Sequence, residues 1–237
     1  MNVEVVNEEV MNNIAILDLP TKGRKLPQVK ELSYKVAKRT VDIIGATIGV
    51  LVLVPMVIGI AIAKVILKDK GPIFYTQNRI GKDGKIFKMY KFRSMVVGAD
   101  EILEKYLAEN EDAREEWRVN KKLKDDPRVT KIGKFIRKTS IDEFPQFINV
   151  LKGDMSLVGP RPYLPKERED IGSYYPYIVA VKPGITGLWQ VSGRSDVSFE
   201  QRLNLDLEYY ENRSAKLYFK ILGNTVRKVF LKEGAVW

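Results

Sequence analysis

Residues Ile43 to Ala63 read IIGATIGVLVLVPMVIGIAIA, 21 in succession without a charged side chain. At about 1.5 Å of rise per residue, a helix of this length matches a hydrocarbon core of roughly 30 Å. Apolar runs of about 18 residues or more point to a membrane rather than to a buried core helix. A cleaved signal peptide fits poorly. The run starts too late, exceeds an h-region and is followed by no small-residue cleavage site. Lys35, Lys38 and Arg39 precede the run, and Lys64, Lys68 and Lys70 follow it. A simple span carries its basic excess on one side only. Pro55 sits near the middle, where it removes a helix hydrogen bond and kinks the chain. Asp42 lies at the mouth of the run, where burial is costly. Two topologies stay open on these grounds. One is a bent helix that enters one leaflet and returns to the cytoplasmic face, and the other is an ordinary kinked span.

The rest of the chain must suit this segment. With 237 residues it holds one or at most two domains, and 45% apolar residues suffice for a core. The 40 Lys and Arg against 30 Asp and Glu leave a net charge of +10, which favours anionic partners. Beside a membrane segment, that charge is better matched to anionic lipid and phosphate ligands than to nucleic acid. No RRM, KH or zinc-finger signature is present. Cysteine and histidine are both absent. That excludes disulfides, thiolate nucleophiles, Cys-ligated clusters, Ser–His triads and HExxH metal sites. A nucleophile or proton handler must come from Asp, Glu, Lys, Tyr, Ser or Thr. Any catalytic metal must be a hard ion held by oxygen, such as Mg²⁺.

Residues 1–32 read as a weakly ordered arm, with one short strand over Ile14 to Leu19 before the Pro20–Gly23 turn. Residues 33–70 form the membrane-associated segment and 71–237 a catalytic unit. Ile73 to Tyr75 and Ile86 to Phe92 flank a Gly-rich basic loop and predict a hairpin. Ala99 to Arg118 reads as a solvated helix or helix pair, and Phe144 to Leu151 as a short helix. Pro160 to Pro165 and Pro176 to Trp189 read as loops. Lys216 to Lys232 is a basic amphipathic pattern, which suits either an interfacial helix or a core-packed surface helix. The expected fold class is α+β, mainly α, with a membrane helix, interfacial helices and a small hairpin.

Four stretches can carry chemistry. In Arg137-Lys138-Thr139-Ser140-Ile141-Asp142-Glu143-Phe144-Pro145-Gln146, a capping box from Ser140 to Glu143 puts Pro145 too deep in the helix. Starting the helix at Asp142 or Glu143 removes that conflict. It sets adjacent carboxylates at a helix N-terminus with cations just upstream, a pair able to act as nucleophile and metal ligand. Asp-Glu alone is a common dipeptide. In Val158-Gly159-Pro160-Arg161-Pro162, an arginine held between two prolines is a stiff fork for phosphate. Gly184 to Arg194 adds Gly turns, the aromatic Trp189 and the cation Arg194. Tyr90-Lys91-Phe92-Arg93-Ser94-Met95 carries two cations that can face one anion.

Taken in order, the chain resembles the bacterial sugar transferase family, the monotopic phosphoglycosyl transferases that attach a sugar-1-phosphate to a polyprenyl phosphate. Seven collinear stretches carry the resemblance: residues 38–42, 77–81, 90–95, 140–146, 149–156, 158–162 and 182–187. Together they cover about residues 33 to 237. The resemblance implies a reentrant helix broken at Pro55 and a Mg²⁺-dependent site on the cytoplasmic face of the inner membrane. It implies Asp142 as nucleophile and Glu143 as metal ligand. It places Lys91, Arg137 and Arg161 near the phosphates, and Arg194 is carried with them as a substrate ligand. The donor would be a UDP-sugar and the acceptor undecaprenyl phosphate. The Leu188-Trp189-Gln190-Val191-Ser192-Gly193-Arg194 stretch looks more like members that use UDP-galactose or UDP-glucose. Residues 1–32 carry none of the resemblance, so the chain looks like a catalytic module alone. A homodimer is compatible with it. The competing reading is a membrane-anchored interaction protein whose basic face binds anionic lipid.

Overall fold

The structure, a computed structural model, describes residues 28–69, 71–120, 123–192 and 197–231. The expected strand over Ile14 to Leu19, and Arg194, lie outside the described residues. The apolar run folds as helix α1 (Gln28–Ile66), which begins a few residues before the expected boundary at 33. It is the one described helix long and apolar enough to cross a membrane. Pro55 lies inside it, and the helix continues unbroken to Ile66, where a break at the proline was expected.

Two stripes run along α1 at the three-and-four spacing of a helix. Asp42, Ala46, Leu53, Ile60 and Lys64 are buried against the rest of the protein, while Ile44, Ile48, Leu51, Ile58, Ile62 and Val65 are exposed. The contact is close. A Cβ at Gly49 would stand 2.4 Å from the ring of Phe147, so only glycine admits the neighbouring helix there.

Strands β1 (Phe74–Ile80) and β2 (Ile86–Phe92) pair antiparallel, with Phe74 opposite Phe92 and Ile80 opposite Ile86. The hairpin was expected, but its first strand is longer: Arg79 and Ile80, read as loop, belong to it. The helix pair is α2 (Ala99–Glu109) and α3 (Glu111–Asn120). Helix α4 (Lys131–Lys138) is capped by Thr130, whose hydroxyl accepts from Gly133 N. Helix α5 (Gln146–Lys152) leads into β3 (Ser156–Val158), which pairs in parallel with β4 (Gly184–Thr186). This second sheet was not foreseen. Between them lie α6 (Arg168–Ile171) and α7 (Tyr175–Val179), so part of the expected Pro176–Trp189 loop is helical, with Pro176 in a first turn that needs no amide donor. Short α8 (Leu188–Ser192) precedes α9 (Phe199–Asn212) and α10 (Ala215–Leu231). Helix α10 buries Tyr218 and Ile221 and exposes Phe219 and Val226, so it is packed on the core along one face.

Two apolar clusters meet α1. Ala46 joins Met89, Val150, Met155, Leu157, Tyr218 and Ile221, and Leu53 and Ile60 join Phe92, Ile132 and Ile136. The Lys38–Asp42 stretch ties the helix down. The Asp42 carboxylate, 3% exposed, accepts from Ser156 Oγ, Leu157 N and Tyr218 OH, each at 2.9 Å. Lys38 donates to Ser156 and to Val158 O. Arg39 donates to Val150 O and Leu151 O, satisfying carbonyls at the end of α5. The costly burial of Asp42 is thus met by three hydrogen bonds to Oδ1 and by Lys38 3.7 Å from Oδ2.

Candidate active site

The Asp142–Glu143 pair sits in a 3-10 turn, Ile141–Glu143, one step ahead of α5. Ser140 enters it at φ +55° and makes no side-chain cap, so the capping box does not form. Pro145 precedes α5 and loses no helix hydrogen bond. The predicted link between the proline and the carboxylates holds, but the pair is held by the tight turn and not by the first turn of an α-helix.

Asp142 is 8% exposed. Lys91 Nζ, from the end of β2, lies 3.6 Å from Asp142 Oδ2 and 3.5 Å from Glu143 Oε1. Strand β2 is itself fixed by Asn149 of α5. The fully buried Asn149 amide accepts from Tyr90 N at 3.0 Å and donates to Lys88 O at 2.8 Å. The other Asp142 oxygen, Oδ1, is buried and has no hydrogen-bond partner among the described residues. Burial pushes the Asp142 carboxyl up to about 6. The Lys91 charge opposes this, Glu143 adds to it, and Arg137 opposes it again. Arg137 leaves α4 toward the same place, and its Nε donates to Ser94 Oγ at 3.0 Å.

Arg93 does not share an anion with Lys91 as expected. It turns away to donate to Met95 O. Trp189 does not offer an open stacking face. It is buried, with the guanidinium groups of Arg161 and Arg202 each 5.7 Å from its ring. Arg161 is thus held by an aromatic ring, while its guanidinium N–H groups have no hydrogen-bond partner among the described residues.

One residue that sequence reasoning did not single out is Arg79. Its buried side chain donates to Pro162 O at 2.8 Å and to Gln77 Oε1 at 2.6 Å. Burial and the neighbouring Arg161 charge press it down to about 10, opposed by Glu167, Tyr75 and Glu143. Its burial beside Ile80 carries no signal in the sequence, where it reads as an ordinary loop charge. The site therefore joins a buried, half-unpartnered carboxylate, a second carboxylate and cations from β1, β2, α4 and the Pro160–Pro162 turn. Such a set can stabilise attack on a diphosphate, where like charges must approach.

The bacterial sugar transferase family model matches residues 33–232. The chain belongs to that family. It is 48% identical over 204 residues to the galactosyl transferase CpsE of Streptococcus agalactiae serotype III, covering 86% of this chain and 44% of that protein. It is 45% identical over 203 residues to the undecaprenyl-phosphate galactose phosphotransferase of Salmonella typhimurium, covering 86% and 42%. The chain thus spans less than half the length of these two relatives. The exopolysaccharide production protein ExoY of Rhizobium meliloti is 42% identical over 199 residues, 84% of this chain and 88% of that protein. All the described site residues, from Arg79 to Arg161, fall inside the family match.

No group of three or more acidic side chains converges among the described residues. Mg²⁺ is commonly held by one or two carboxylates with substrate phosphates and water completing its shell. Glu143 beside Asp142, with an unpartnered buried oxygen, fits that mode and not an all-protein cage.

Proposed function

We propose that this chain transfers a hexose-1-phosphate, galactose or glucose, from a UDP-sugar to undecaprenyl phosphate and releases UMP. The observation that carries the reading is the unpartnered Asp142 Oδ1, held in a buried site among Lys91 and Arg137. An Asp142 oxygen attacks the β-phosphorus, and the bond from that phosphorus to the bridging oxygen breaks. UMP leaves with the bridging oxygen, and a phosphosugar remains on the aspartate. An oxygen of the lipid phosphate then attacks the same phosphorus, and the aspartyl bond breaks. A lipid diphosphosugar forms and the carboxylate returns. Neither step needs a protein base, which suits a chain without histidine. Lys91 sits between both carboxylates and neutralises charge there, while Arg137 and Arg161 receive phosphate oxygens. Mg²⁺, held by Glu143, would supply further charge neutralisation on the diphosphate.

The proposal includes the membrane. The buried stripe of α1 meets one body from Asp42 to Lys64, about 33 Å of helix at 1.5 Å per residue. A straight span would carry that body through the bilayer, so the contact supports a helix that enters and leaves on the cytoplasmic face of the inner membrane. The product would start assembly of a membrane-linked glycan. The test is UMP release over a panel of UDP-sugars. Given UDP-galactose without lipid phosphate, the protein should release about one UMP per site and stop. Its mass should rise by one sugar phosphate on the peptide carrying Asp142. UMP release only in the presence of lipid phosphate, with no adduct, would refute the covalent step.

A further inference from the structure

Asp206, on α9, is fully buried, yet nothing in the proposed chemistry uses it. Its Oδ2 accepts from Tyr163 OH at 2.8 Å and from Arg161 N at 3.2 Å. Its Oδ1 has no partner among the described residues. Two bonds from one carboxylate oxygen therefore hold both sides of Pro162. The same turn is gripped from β1, where Arg79 donates to Pro162 O and Ile80 N donates to Tyr163 O at 2.9 Å. Between these grips the Pro160–Tyr163 backbone has little freedom, and two prolines remove more. The Arg161 guanidinium lies against Trp189, 5.7 Å from the ring, with its donors open. A buried carboxylate beside Arg161 and Arg202 is costly to keep unless it does something a neutral residue cannot.

We propose that Asp206 is the positioning residue for Arg161, clamping the Pro160–Tyr163 turn through Oδ2 so that the guanidinium is aimed before substrate arrives. The inference rests on the reading of Arg161 as a phosphate ligand. Preorganised donors act without reorganisation during reaction, and misplacement by about 1 Å can cost up to about 100-fold in rate. Asp206 touches neither substrate nor reacting atoms, so its effect must pass through Arg161.

The experiment is a double-mutant cycle on the full chain in detergent or nanodiscs, read by UMP release from UDP-galactose. Asp206→Leu, which removes the oxygen that accepts both bonds at similar volume, should lower kcat/KM by about 10- to 100-fold. In an Arg161→Ala background it should lower it less than about twofold, because there is no guanidinium left to aim. Full, independent losses in both backgrounds would overturn the proposal. A second readout needs no turnover: labelling with phenylglyoxal, mapped by mass spectrometry to the Arg161 peptide. Asp206→Leu should speed labelling of Arg161 in protein that still shows a cooperative thermal transition, and equal rates would overturn the proposal. If the wild type turns over no UDP-hexose, the proposed function fails while the labelling result still decides the role of Asp206. Should Asp206→Leu not fold, Tyr163→Phe removes one of the two bonds and takes the same test, with smaller shifts in the same direction.

Discussion

Replacing Asp142 by Asn should make the protein more stable at neutral pH, by an amount that depends on pH in a defined way. The Asp142 carboxyl is pushed from its ordinary 3.8 to about 6, chiefly by burial, despite Lys91 at 3.6 Å. Two units correspond to ~3 kcal/mol. The sign follows from proton counting. Between pH 3.8 and 6 the folded protein holds a proton on Asp142 that the unfolded chain has released. Wild-type stability therefore falls as pH rises through that window, and the loss is complete above it. Asn cannot ionise and escapes the loss. Its amide nitrogen would occupy the position of the unpartnered Oδ1 and leave a buried donor unmet, costing about 1 kcal/mol. The variant should thus gain ~2 kcal/mol at pH 7.5 and give back ~1 kcal/mol at pH 4. At about 2–4 °C per kcal/mol for a domain of this size, the melting temperature should rise by roughly 4–8 °C at pH 7.5. Asp206, pushed up to about 7 by burial, acts in the same direction in both proteins and cancels in the difference. The assay is thermal unfolding of both proteins in one detergent across pH 4 to 7.5. A stability difference that stays flat with pH would refute the reasoning, as would a variant less stable than wild type at pH 7.5.

Lys91→Met removes the cation that holds the Asp142 carboxyl down, so the acid limb of the pH–rate profile should move above 6, with turnover reduced at least 10-fold; an unmoved limb would separate Lys91 from Asp142. Chelation with EDTA should abolish UMP release and added Mg²⁺ should restore it, whereas Glu143→Gln should lose most turnover and blunt the metal response; full activity in EDTA would remove the metal from the proposal. Single cysteines at Lys35 and Lys68 should react with an impermeant reagent only from the cytoplasmic side, since no native cysteine interferes, and labelling of either from outside would show a span. Gly49→Val should destabilise by about 1–3 kcal/mol, read as a lower melting temperature, because Phe147 occupies the space a side chain would need.

The parts of this fold legible in the sequence were those with a local signal. The charge-free run, the hairpin around Gly81–Gly84, the α2–α3 pair and the tension between Ser140 and Pro145 could each be read from a short window. The β3–β4 pair could not, because it joins residues about 28 apart through two three-residue strands too short to carry alternation. Nor could the turn type at Asp142, which depends on Ser140 adopting φ +55° where no glycine marks the place. Asp142, Glu143, Lys91 and Arg161 stood out as charges in Pro-punctuated or β-prone runs. Arg79 and Asp206 did not, since each looks like an ordinary charge until burial is known. Asp206 had left a trace: it falls on the face of α9 that also carries Leu203, Leu205 and Tyr209, where an acid needs a partner.

The membrane helix and the site form one object. The apolar cluster that takes Leu53 and Ile60 of α1 also contains Phe92, Ile136 and Ile141. These three are the immediate neighbours of Lys91, Arg137 and Asp142. These three charged groups therefore each sit one residue away from an apolar side chain of the cluster that α1 joins. Pro55 lies on the exposed side of the helix and offers no N–H to the Leu51 carbonyl. A helix opened on that side curves toward the body it packs on, as long helices do around a core. Under the proposed function, the depth of α1 in the membrane would set the depth of the site. A lipid phosphate is confined to the headgroup layer, and a nucleotide donor arrives from water. Under the proposed function, a carboxylate kept charged against its burial would serve both at that boundary, with α1 holding it there.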